Sequence, residues 1–132
     1  TVKTASGTGY TMPVGATALV YSNGTNTSLG MLQKSYVTHT AAYTAVAGDQ
    51  IFCDTKTTDA FIVTLPAGAV NDEITFVDSQ NYFASNNLTI APDGSEKINS
   101  STSDLVLSAN GQAITLVYAN ATVGWIYKTN TA

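Results

Sequence analysis

The chain has 132 residues, a net charge of −4 and only 11% charged residues, against about 25% in an average soluble domain. That length is one domain, able to bury roughly two-thirds of the surface its open chain exposes. The acidic balance excludes a phosphate-binding face, which needs clustered Lys and Arg; here Lys3, Lys34, Lys56, Lys97 and Lys128 are scattered and arginine is absent.

Threonine, about one residue in six, takes the surface together with serine and asparagine. Threonine is β-branched and fits a pleated, half-buried sheet better than a helix. Neutral hydroxyls and amides also suit a surface that disappears into an assembly, where charge is costly to bury.

In chain order, residues 1 to 46 are weakly patterned. Thr1–Gly9 has almost nothing to bury and reads as an arm that becomes ordered against a partner. Thr17–Tyr21 and Ser35–Thr38 read as short strands on either side of a turn-like Asn23-Gly24. Leu29-Gly30-Met31-Leu32 is a small apolar knot with no clear period.

From Ala47 the pattern sharpens into six or seven short strands with period-2 alternation. Ile51–Cys53, Phe61–Leu65 before Pro66, Ile74–Val77 between acids, and Leu88–Ile90 before the Pro92-Asp93-Gly94 turn come first. Leu105 and Leu107 lead to Asn110-Gly111, a strong hairpin signal. Ile114–Tyr118 and Val123–Tyr127 complete the series. The spacing predicts an all-β sandwich, barrel or jelly roll with few helices.

Few residues invite chemistry. His39 is the only histidine, and no nucleophile-elbow, phosphate-loop or dinucleotide motif surrounds any candidate. The nine acids sit mostly at strand ends and turns, where Asp bonds local backbone. Asp93–Glu96 lacks the alternating ligand series of a calcium loop. Cys53 is the only cysteine, so no internal disulfide forms, and it is expected in the core, as is Trp125. The expectation is a non-enzyme with no cofactor and no metal. No apolar run approaches the ~18 residues of a membrane span, and no signal-peptide order opens the chain, so no membrane partner is expected.

The second region bears a resemblance. Gly48–Thr55, Phe61–Pro66, Asp72–Asp78, Asn86–Ile90, Asp104–Leu107, Leu116–Tyr118 and Gly124-Trp125 together resemble a small β-domain of tailed-bacteriophage virion proteins. That family includes capsid decoration or cement proteins and tail-fibre tips. The resemblance spans about residues 47–128 and implies a jelly-roll-like β-sandwich, a homotrimer and no catalytic residues. On that basis residues 1–46 are the attachment region, with an extended N-terminal arm, and residues 47–132 the sandwich.

A fibre needs a shaft and an anchor, for which this length leaves no room. The initial Thr1 is also what a small protein shows after loss of its methionine, so a complete decoration protein is expected. It would sit on the outer capsid surface, with the major capsid protein as partner. Tyr10, Met12, Tyr21, Met31, Leu32 and Tyr36 are the candidate interface, being apolar or aromatic where the domain has least reason to bury them. The alternative is a fibre-tip module that binds host glycan through exposed Tyr or Trp.

Overall fold

The computed structural model describes residues 16–22 and 27–131, with side chains from 35 to 131. Two compact units divide the chain, residues 1–36 and 37–132. In the first, β1 (Ala16–Ser22) pairs antiparallel with β2 (Thr27–Lys34), with a register shift between Ala18 and Val20. The knot around Met31 is therefore part of a strand. The Asn23-Gly24 turn and the Thr1–Gly9 arm lie outside the described residues.

The second unit is an all-β sandwich of two sheets. Its strands are β3 (Val37–His39), β4 (Tyr43–Thr44), β5 (Gln50–Cys53), β6 (Phe61–Thr64), β7 (Glu73–Asp78), β8 (Leu88–Ala91), β9 (Leu105–Leu107), β10 (Ala113–Asn120) and β11 (Gly124–Thr131). The five-stranded sheet has the order β11-β10-β7-β5-β3 and the four-stranded sheet β4-β6-β8-β9. No helix occurs among the described residues. This unit already includes β3 and β4, upstream of the boundary expected at residue 47.

The winding follows one rule from β3 to β8: each strand crosses to the opposite sheet. Alternation between layers is a jelly-roll habit, but here the returning strand lies directly beside its predecessor. The neighbours β3/β5, β5/β7, β4/β6 and β6/β8 are consequently parallel. Parallel neighbours need a crossover connection, for which most proteins use a helix; here the crossover contains a strand of the other layer. The chain then closes with antiparallel pairs, β9 on β8, β10 on β7, and the β10–β11 hairpin.

Alternation in sequence becomes alternation in burial. β7 reads half-buried, buried, half-buried, buried along its length, placing Ile74 and Phe76 inside and Thr75 and Val77 outside. Ile51, Cys53, Ile114, Leu116 and Trp125 from one sheet meet Phe61, Val63, Leu88, Ile90 and Leu107 from the other. Fully burying a large apolar side chain contributes about 1.5–3 kcal/mol. Cys53 and Trp125 are both fully buried, as expected.

The Asn110-Gly111 turn is a correction. It bends the chain, with Gln112 N–H donating to the Ala109 carbonyl at 3.2 Å, yet β9 and β10 lie in different sheets, so it makes no hairpin. A type I′ hairpin turn needs positive φ at both central residues, and only Gly111 has it, at 73°. Distant groups hold the turn instead. Asn110 Oδ1 accepts from Ala84 N–H at 2.8 Å, and Gly111 N–H donates to Asp78 Oδ2 at 2.9 Å.

Candidate interaction surface

The outward positions of the four-stranded sheet are Thr44, Ile62, Thr64, Thr89, Ala91 and Val106. Strand register sets them in two rows, Ile62–Thr89–Val106 and Thr44–Thr64–Ala91. Ile62 and Val106 are 47% and 49% exposed, large values for β-branched aliphatics in mid-strand. None of the six is charged.

The other outer face is nearly as neutral. Its rows are Thr38–Phe52–Val77–Ala113–Thr131, Gln50–Thr75–Thr115–Thr129 and Glu73–Val117–Ile126. Thr75 and Thr115 hydroxyls bond across strands at 2.9 Å. Glu73 is the only charge in these rows, and Lys128, at the register shift in β11, reaches it at 2.8 Å. An antiparallel or mixed sheet facing water normally turns polar and charged side chains outward. Here both faces carry threonine and aliphatics.

Several of the acids have structural work. Asp78 Oδ2 accepts from the N–H groups of Tyr82 (2.8 Å), Phe83 (3.1 Å) and Gly111 (2.9 Å), tying two loops to the end of β7. Asp54 accepts from Lys56 N–H, Thr57 N–H and the Thr57 hydroxyl, and these Thr57 bonds hold its carboxyl below the usual range. Glu96 accepts from Gly68 N–H at 3.0 Å and from Trp125 Nε1 at 3.4 Å. Asp49 accepts from Val46 N–H and the Tyr43 hydroxyl. Burial, then Asp49, raises the Tyr43 pKa.

Burial pushes the Cys53 thiol up to about 12, the reverse of what a reactive thiolate needs. His39 stacks on Tyr43 with ring centroids 3.8 Å apart. Among the described residues, no three His, Cys, Asp or Glu side chains gather where a metal could bind.

Of the interface residues expected from sequence, Tyr36 is placed with its side chain, and it is 41% exposed. Tyr21, Met31 and Leu32 lie on the β1–β2 hairpin, Tyr21 opposite Ser28 and Leu32 opposite Ala18. Tyr10 and Met12 lie outside the described residues. Sequence reasoning passed over Ile62 and Val106. Their signal was present: Phe61-Ile62-Val63 and Leu105-Val106-Leu107 are apolar without a break, the pattern of strands covered on both sides.

No protein-family model matches the chain, and no curated protein matches it in sequence.

Proposed function

We propose that this protein is a non-enzymatic structural protein of a virion, a decoration or cement protein that binds the outer capsid as a trimer. The observation that carries the reading is the near-neutrality of both outer sheet faces, where Glu73 is the one acid in the rows, on a chain that carries its other eight acids elsewhere. Such faces cost little to desolvate and fit a protein whose surface is covered in its working state. The resemblance of residues 47–128 to phage virion β-domains points the same way, as does the structural employment of several of the acids.

In this reading the sandwich supplies the body of the trimer and the N-terminal region supplies attachment. A protein that binds the assembled shell and not its free subunits stabilises the shell by mass action. The test is a variant lacking residues 1–16, mixed with capsids stripped of the native protein. Lost binding with an unchanged β-sheet circular-dichroism spectrum supports the mechanism; retained binding overturns it.

A further inference from the structure

We infer that the outer face of the four-stranded sheet pairs with the same face of a second copy of this chain. The inference rests on that face's charge pattern and register, and it stands whether or not the virion reading does.

The occupant follows from charge. The chain is net negative, so most of its surface resists contact with its own copies. At a two-fold axis a residue on the axis meets its own copy, so a charge there meets its like. The six outward positions are free of charge, and the neighbouring acids Asp59, Asp93 and Asp104 fall beyond the ends of β6, β8 and β9.

The register makes the face self-complementary. Thr89 sits midway between Ile62 and Val106 in one row. A two-fold axis lying between the stacked sheets, parallel to the strands and passing over Thr89, exchanges the two sides of that row. Ile62 of each copy then covers Val106 of the other, and the two Thr89 side chains meet at the axis. Sheets stack in this aligned way about 10 Å apart. The two largest exposed aliphatics of the face are thereby buried together.

The face is only about 15–20 Å across, so the contact belongs to the small class below about 1,200 Å². Association is therefore weak in dilute solution and becomes effective when copies are held close together.

The test uses the full chain in sedimentation equilibrium up to about 1 mM protein, since association near that range is what so small a contact yields. Wild type should show reversible self-association. Thr89→Lys and Thr89→Glu should each weaken it about a hundredfold, and an equimolar mixture of the two should restore it, because Lys then faces Glu across the axis. Thr89 is outward-facing, so both variants keep the fold, as their unfolding curves would verify. A wild type with no association through this range overturns the inference. So does self-association beyond the proposed trimer that both variants leave intact, or a mixture that behaves as the separate variants do, since either result places the contact elsewhere. Capsid binding by residues 1–16 is read separately, so the two proposals fail independently.

Discussion

His39 and Tyr43 close the open edge of the sandwich by stacking on each other, ring centroids 3.8 Å apart at 24°. His39 ends β3, the edge strand of one sheet, and Tyr43 opens β4, the edge strand of the other. The stack therefore spans the seam between layers, and the Tyr43 hydroxyl continues it by donating to Asp49 Oδ2 at 3.0 Å. The only histidine of the chain packs as a flat ring.

The seam can be dissected by substitution. Tyr43→Phe keeps the stack and removes the bond to Asp49, costing about 0.5–1.5 kcal/mol. Tyr43→Ala removes the ring as well and should cost about 2–4 kcal/mol, in the range of aromatic truncations at partly buried sites. Urea unfolding of both variants reads the difference. Equal costs would mean that the stack contributes nothing.

Two glycines are required for reasons of space. A Cβ on Gly68 would lie 2.1 Å from Cδ2 of the buried Tyr118 ring, which packs edge-on against Trp125 at 5.5 Å. Gly124 has φ of 74°, and its Cβ would lie 1.9 Å from the Lys97 carbonyl oxygen. Gly68→Ala should cost about 1–3 kcal/mol by overpacking. Gly124→Ala should cost more, because backbone cannot rotate aside and the conformation itself disfavours a side chain. Thermal unfolding should rank wild type above Gly68→Ala and Gly68→Ala above Gly124→Ala.

Asp78 joins the loop after β7 to the β9–β10 turn from the β7 side, as Asn110 does from the turn. Asp78→Ala leaves four N–H groups, those of Gln80, Tyr82, Phe83 and Gly111, without their acceptor, and should cost about 3 kcal/mol. Amide exchange at Tyr82, Phe83 and Gly111 should accelerate together. Acceleration at Gly111 alone would mean that the two loops are held independently.

Neighbouring residues set opposite limits on the pH range of stability. Asp54 has a lowered pKa in the fold. Its contribution is present above the unfolded value of about 3.9 and is lost as pH falls through the folded value. Cys53 has a pKa raised to about 12. Stability is thus undiminished below the unfolded thiol value of about 8.5 and declines as pH rises from there towards 12, where the unfolded chain ionises and the fold does not. Asp54→Asn should flatten the acid limb, and Cys53→Ala the alkaline component that begins near 8.5. In the native protein Cys53 should resist thiol reagents at pH 8 until unfolding exposes it. Rapid labelling of folded protein would contradict the buried placement.

How much of this was legible in the sequence depends on the kind of interaction. Strands from Ile51 onward were readable because each is a short apolar or alternating run fixed locally, and β7 and β10 have the burial that alternation implies. Sheet membership was not readable, since Leu105–Leu107 and Ile114–Tyr118 flank a strong turn signal and still enter different layers. What decides that is long-range: Asp78 and Ala84 hold the Asn110-Gly111 turn. The roles of Gly68 and Glu96 were hidden for the same reason, because Tyr118 and Trp125 approach them only in the fold. The neutral outer faces were half visible, as unbroken apolar triplets around Ile62 and Val106.

The proposed capsid role is tested most directly by the copy number of this chain in purified particles, relative to the major capsid subunit, by quantitative mass spectrometry. Decoration across the shell predicts a ratio near one to one. A ratio of a few per cent would place the protein at the tail or at one vertex, and would contradict a cementing role in favour of a receptor-binding one.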